Sequence, residues 1–325
     1  MKIFMTLLVD SVRLLRARAL FWVTLWISAF VALLYLSVGF NPEGFSLLFG
    51  LFDIPSDTIR AGSPMAELTY LGIFSNLIVG IWLSIAAVIL ALISCASIFP
   101  DFMAEGSIGI PLSKPVSRLT LFLCKYVGSL LFVVVQVALF CAIVFLALRW
   151  RVGTWNPSVF WAVPLVTLVF SYIYSVVVLF AVKTRSVLAS VLAGIAVWFL
   201  AWFGQAGEGL LYMASYVEKQ QMEEASEKRP LVMEKWHQAS VVAMGFLPKT
   251  GQTMQLLDRL MVVKGEGGYS HGSLLAGMMG ASKGDAKETD EAYTRHSTRY
   301  IIWTSLGFEA VMLGLAAFIF CRRDY

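Results

Sequence analysis

The residues able to do chemistry in this sequence gather in one short polar stretch and at a few isolated places inside apolar runs. The stretch reads Asp101-Phe-Met-Ala-Glu105-Gly106-Ser, then Leu112-Ser-Lys114-Pro-Val-Ser-Arg118, then Lys125-Tyr-Val-Gly128. An acid and a glycine open a short helix, Ser113-Lys114-Pro115 breaks it, and a basic residue leads into the next apolar run. A polar helix held between two rigid rods can be pushed by a soluble partner and can pass the displacement on. The groups such a partner would meet are the carboxylates Asp101 and Glu105, the glycine Gly106, and the cations Lys114 and Arg118. The competing reading is an ordinary connector whose cations serve as topology signals.

Inside the apolar runs a charge is costly, about 2.5–3.5 kcal/mol at the centre of a membrane helix. Glu309, almost midway along the run 300–320, is therefore the first candidate for a transport pathway or gate. Its competing role is to hydrogen-bond a neighbouring helix and fix packing. Gln136, Asn76 and the cluster Ser171, Tyr172, Tyr174 and Ser175 are uncharged candidates for a pathway lining. Gly72, Gly80, Ser84, Ser94 and Ser97 read as close-packing positions. Other chemistries find no pattern here. There is no Gly-x-x-x-x-Gly-Lys-Ser/Thr phosphate loop, and no span carries a paired Ser/His, Asp/Asp or His-Glu-x-x-His arrangement. His237, His271 and His296 are scattered, with a structural or solvated role as the default, and no metal site is expected. Cys95, Cys124, Cys141 and Cys321 lie in or beside apolar runs and read as buried free thiols.

The elements that position these groups follow from composition. Of 325 residues 58% are hydrophobic and 14% charged, against about 25% charged in soluble proteins. The apolar excess falls in runs of roughly twenty or more residues, the length that crosses about 30 Å of hydrocarbon as a helix. Lipid offers no partner for unpaired backbone groups, so such runs are helices. The expected fold class is an all-α integral membrane protein of six transmembrane helices at about 19–39, 69–99, 119–148, 159–182, 186–204 and 300–320. Residues 1–18 mix Lys2, Arg13, Arg16 and Arg18 with a face of Phe4, Leu7, Leu8 and Leu15. That pattern predicts an amphipathic helix along the membrane surface, followed by a retained first span rather than a cleaved signal peptide. The second run is long, about 45 Å at 1.5 Å per residue, so it must tilt or project.

Charge gives the orientation. The N-terminal segment, the 100–118 loop with Lys125, the 183–186 turn and the C-terminus hold eleven Lys/Arg. The two short loops on the other side hold Arg60, Arg149 and Arg151, and 40–68 also carries Glu43, Asp53, Asp57 and Glu67. Both termini are therefore expected in the cytoplasm. Trp150, Trp155, Trp161, Trp198, Trp202 and Trp303 fall near the proposed outer boundary, where amphipathic rings favour the interface. Residues 205–299 form an extracytoplasmic insertion between spans five and six. It is mainly helical, with helices expected over 210–228, 231–245 and 252–263 and a glycine- and serine-rich stretch at 265–287. Twelve acids against eleven bases give it no basic face for nucleic acid.

At 101–128 the sequence resembles the ABC-2-type family of ABC transporter permeases. In that family a Glu-Gly pair precedes a Leu-Ser-Lys-Pro-Ile-Ser-Arg-like stretch and a Gly-Lys-Tyr-like start of the third span. Cys124 stands here in place of the glycine before Lys125, and Phe320-Cys-Arg322-Arg323-Asp324-Tyr325 looks like the family's C-terminal ending. The resemblance implies two permease copies paired with two separate ATPase subunits, which would carry the ATP and Mg, and a coupling helix at about 101–112. It implies no cofactor and no catalysis in this chain. The large insertion at 205–299 departs from compact members, where this loop is short, and leaves room for an extracytoplasmic partner. A mechanical signalling role without a transported substrate, an intramembrane enzyme, and an ion channel or proton-coupled carrier are the competing functions.

The charge asymmetry predicts that reporter fusions or cysteine labelling will place residues near 110 and 184 in the cytoplasm and residues near 55 and 250 outside. A cytoplasmic reporter at 250 would overturn this topology.

Overall fold

A computed structural model describes residues 19–55, 60, 64–104, 117–225, 232–260 and 296–323. The expected interfacial helix at 1–18, the loop residues Glu105, Gly106 and Lys114, and the glycine-rich 265–287 stretch lie outside the described residues.

Among the described residues five helices are long and apolar enough to cross a membrane: Thr69–Phe102, Arg118–Arg151, Pro157–Thr184, Val187–Lys219 and Thr298–Arg322. Several such helices in one chain make it a multi-pass membrane protein. A shorter apolar helix, α1, covers Ala19–Leu36. The first long rod is composite: α2 (Pro64–Gly72), a π-helical stretch Ile73–Ala86, α3 (Ala87–Ala96) and α4 (Ile98–Phe102). Then follow α5 (Arg118–Arg151), a short 3-10 turn Pro157–Trp161, and α6 (Ala162–Thr184). Next among the described residues come α7 (Val187–Ala225), α8 (Val232–Met244), α9 (Thr250–Leu260) and α10 (Thr298–Arg322). Ser117 and Ser297 cap α5 and α10, each side-chain oxygen accepting from the backbone N–H three residues on.

One departure from an all-α fold follows α1. Strands β1 (Gly39–Asn41), β2 (Gly44–Leu47) and β3 (Phe52–Pro55) form an antiparallel sheet in the order β1-β2-β3. The registers pair Gly39 with Ser46 and Ser46 with Asp53. The first helix accordingly stops at Leu36, short of the expected 39. Strands of three or four residues are too brief to show a twofold apolar alternation, so the sequence pattern misses them. The Asn41-Pro-Glu-Gly44 turn was the one local signal.

The core is organised around α6. In its most apolar window 78% of residues are buried, against 17–50% in the other four long helices. A helix that is apolar on every side belongs at the centre. It packs against α5, α7, α9, α10 and α3. Two tyrosines close the α1 side: Tyr35 donates to the Tyr70 carbonyl at 3.0 Å and Tyr70 donates to the Tyr35 carbonyl at 3.2 Å. The turn from α6 to α7 is tight, with Arg185 left-handed at φ 55° ending α6. The two helices then approach closely, since a Cβ at Gly194 would lie 2.5 Å from Val177 Cγ2. Helix α7 was expected to end at 204, with the insertion beginning at 205. It instead runs unbroken to Ala225, so the first insertion helix is the same rod as the fifth apolar run. Helices α8 and α9 match the expected 231–245 and 252–263 within a few residues.

Close approach at Gly194 predicts that Gly194→Val lowers the midpoint of thermal unfolding in detergent, by the equivalent of about 1–3 kcal/mol of overpacking. Gly314→Ala, where nothing lies within 4 Å of the added carbon, should instead gain about 0.5–1 kcal/mol of helix stability. Equal shifts for the two variants would contradict the α6–α7 contact.

Candidate functional site

Glu309 sits halfway along α10 and is 9% exposed. Its Oε1 accepts a hydrogen bond from the Tyr126 hydroxyl at 2.6 Å, and its Oε2 lies 2.9 Å from the Ser171 hydroxyl. One carboxylate thereby joins α10 to α5 and α6. Ser171 has a second acceptor, the Leu168 carbonyl at 2.8 Å, and one proton to share between the two. The network closes in two ways. An ionised Glu309 accepts from Ser171, or a protonated Glu309 donates to Ser171, which then donates to Leu168. The site can thus hold one proton without losing a hydrogen bond.

The network continues through aromatic stacking and a second serine. Tyr126 and Tyr174 stack with centroids 5.6 Å apart, and Tyr174 shares a 2.8 Å hydrogen bond with Ser129. Tyr174 also donates to the Cys95 carbonyl on α3 at 3.3 Å. Of the candidates named from sequence, Glu309, Ser171 and Tyr174 therefore come together. Tyr126 and Ser129 were missed as site residues. Tyr126 lies inside the polar motif, where its neighbour Lys125 drew the reading, and Ser129 stands one turn below it on the same helix face.

Gln136 lies apart from this cluster. Its side chain donates to Ser28 on α1 at 3.3 Å and lines a groove of about 270 Å³ between α1 and α5, with Leu25, Leu139 and Ile143. The side chain of Asn76 lies outside the described residues. Serines in the composite first long rod turn back on their own helix, Ser84 onto the Gly80 carbonyl and Ser94 onto Leu90.

At the end of the bundle where α4 stops and α5 starts, Asp101 is exposed and Arg118 acts as a clamp. The Arg118 guanidinium donates to the carbonyls of Cys321 at 3.2 Å and Arg323 at 2.7 Å, at the end of α10. Arg323 in turn donates to the Val182 carbonyl of α6 at 2.6 Å. These cations satisfy carbonyls left over at helix C-termini, where the helix dipole also favours positive charge. Phe102 of α4 stacks on Phe320 of α10 with centroids 6.0 Å apart. Lys125 is buried with its ammonium 5.4 Å from the Phe102 ring centre.

A second polar cluster lies at the opposite end, assembled from four helices. Glu208 of α7, 1% exposed, has His296 Nε2 at 2.7 Å and His237 Nε2 at 4.0 Å from one carboxylate oxygen. Gln252 donates to the other oxygen at 3.3 Å. Lys249 is buried beside them, its ammonium on the Met244 carbonyl at 3.2 Å and over the Tyr300 ring at 4.7 Å. Burial pulls this ammonium below the usual lysine range, and the Glu208 carboxylate opposes the shift. The two histidines read as scattered in sequence thus converge on one acid. Among the described residues no group of three His, Cys, Asp or Glu is placed to hold a metal ion.

Compared with known families and with curated proteins, the chain matches no family model and no curated protein.

The geometry around Glu309 predicts different outcomes for two substitutions. Glu309→Gln, which can accept from Tyr126 and donate to Ser171, should stay within about 1 kcal/mol of the parent in thermal unfolding, whereas Glu309→Leu should lose about 1–3 kcal/mol. Combining Glu309→Leu with Tyr126→Phe should cost less than the sum of the two, with a coupling of about 0.5–3 kcal/mol. Strict additivity would show that the two side chains do not meet.

Proposed function

We propose that this chain is the membrane-spanning subunit of an ABC-2-type transporter. In this reading α1 is the first of six spans and both termini are cytoplasmic. Two copies work with two separate ATPase subunits, which hold ATP and Mg. The reading is supported by the polar loop between α4 and α5, by the charge asymmetry across the bundle, and by the absence of a phosphate loop, which leaves ATP hydrolysis to another chain.

The observation that carries it is where the two ends of that loop are tied. Phe102, just before the loop, stacks on Phe320, and Arg118, just after it, bonds the last carbonyls of α10. A push on the loop would therefore act from both ends of the loop on the C-terminal end of α10. From α10 it would reach α6 through Arg323 at one level and through Glu309 at another. That is the linkage a coupling element needs, whether the outcome is substrate export or a mechanical signal to an extracytoplasmic partner at 205–299.

Mild-detergent purification from the native membrane should recover an ATP-binding subunit with a phosphate loop in about equal amount. Glu105→Lys should leave abundance unchanged, since surface charge changes usually alter stability by less than about 0.5 kcal/mol, while uncoupling ATP hydrolysis from activity. Recovery of the chain with itself alone would favour a channel, carrier or enzyme. Full activity and full ATPase binding by Glu105→Lys would reduce the loop to a connector.

A further inference from the structure

Glu309 is buried near the middle of α10, and the two directions away from it along the bundle differ in chemistry. Toward the Arg118 end the interior is carbon. Phe99, Phe102, Phe122 and Phe320 are buried there and pack as a chain of rings. Centroids lie 5.2 Å apart for Phe99 and Phe122, 5.8 Å for Phe122 and Phe320, and 6.0 Å for Phe102 and Phe320. Such rings give a passing proton no hydrogen-bonding partner, and an unpaired charge among them is costly.

Toward the Glu208 end the interior carries hydroxyls. Ser305 is buried one turn from Glu309 on the same face of α10, about 6 Å along the axis. Its oxygen accepts from the Lys249 backbone N–H at 2.9 Å, and its proton goes to the Ile301 carbonyl at 2.9 Å. Thr253 of α9, equally buried, gives its proton to the Lys249 carbonyl at 2.7 Å. The Tyr172 hydroxyl of α6 faces both side chains. It is buried and makes no hydrogen bond among the described residues. Next along is Gln252 of α9, 6% exposed, whose amide nitrogen donates to Glu208 at 3.3 Å. Its side-chain oxygen is buried and unmet among the described residues. Two buried acceptors, Tyr172 Oη and Gln252 Oε1, thus stand unmet between two buried acids. Leaving each so costs about 1–3 kcal/mol. A water molecule donating to it removes that cost where about two to four polar groups surround the spot. Tyr172, Thr253 and Ser305 supply three.

We propose that Glu309 is a proton-binding site reached from the Glu208 end of the bundle, through water held on the Tyr172, Thr253 and Ser305 hydroxyls, and closed toward the Arg118 end by the phenylalanine rings. Entry is at His237 and His296, whose side chains are 19% and 14% exposed and whose ring nitrogens lie on one Glu208 oxygen. Imidazole exchanges protons near neutral pH, which suits it to this place. A hydronium ion gives up one proton there and leaves as water. Each member of the file takes one proton and passes one on, and the Glu309 carboxylate becomes a carboxylic acid. The acid then donates to Ser171, whose own proton turns to the Leu168 carbonyl, so the junction of α5, α6 and α10 keeps its hydrogen bonds. The titratable groups at Glu309 are Tyr126 of α5 and Tyr172 of α6. At the far end Lys249 and Tyr300 are faced by the Glu208 carboxylate, Tyr212 lies against His237, and Arg259 binds the His296 carbonyl. Proton uptake at Glu309 requires no ATPase and stands apart from the proposed function.

The test is infrared difference spectroscopy of the purified full chain in lipid nanodiscs. Moving from alkaline to mildly acidic buffer should add a protonated-carboxyl band that is missing from Glu309→Gln. On rapid mixing with deuterated buffer, that band should shift to its deuterated position several-fold more slowly in Tyr172→Phe and Ser305→Ala than in the parent. Ser129→Ala removes a hydroxyl near Tyr126 but off the file, and should exchange at the parent rate. Thr253→Val replaces either file variant if that one fails to unfold cooperatively. Absence of an acidification band that depends on Glu309 would overturn the site. Parent-rate exchange in the file variants, or equal slowing in Ser129→Ala, would overturn the path.

Discussion

A carboxyl group can remain buried among apolar helices if its oxygens are met by donors, and in this protein that condition falls on Glu309. At 9% exposure it has little access to solvent, and the cost of leaving a buried polar group unmet is about 1–3 kcal/mol. Tyr126 and Ser171 answer it from two different helices. The consequence is architectural, because α10, α5 and α6 must keep the relative depth at which three side chains meet. Apolar packing between smooth helices tolerates sliding far better than such a contact does.

The same logic governs the helix ends. Each long rod finishes with carbonyls that its own backbone cannot satisfy. Arg118 takes those of α10, Arg323 those of α6, and Arg151 takes the Leu36 carbonyl at the end of α1 at 2.9 Å. Positive charge at these places pins one helix terminus to another. The residue proposed from sequence as a coupling contact, Arg118, has its guanidinium on its own chain. In the proposed function its place is accordingly to receive a displacement and hand it to α10.

Helix α7 shows how a single rod can run unbroken from an apolar stretch into a mixed polar one. Its packed face carries glycines where α6 and α8 come close, and farther along a buried acid collects polar groups from α8, from α9 and from His296 just before α10. Those contacts hold the second half of α7 to α8, α9 and the start of α10. Lys249 completes the arrangement, placing a buried cation near Glu208 while its backbone N–H caps onto Ser305 at 2.9 Å.

What the sequence determined by itself was everything that depends on length and apolar content. Runs of twenty uncharged residues have to be helices in lipid, and the five long rods were legible within a few residues at most ends. The isolated acid at 309 was legible too, because a carboxylate in such a run is conspicuous. The tertiary structure decided what no local pattern encodes. The partners of Glu309 lie 183 and 138 residues away, and His296 lies 88 residues from Glu208. Which helices become neighbours is set by how their surfaces fit, so the hydroxyl that meets an acid cannot be read from spacing along the chain. The short sheet after α1 and the unbroken length of α7 were missed for a related reason. Three- and four-residue strands carry too little periodicity to register. A helix that leaves the apolar zone changes composition without changing its backbone hydrogen bonding, so its surroundings, rather than its fold, mark the boundary that the sequence suggested.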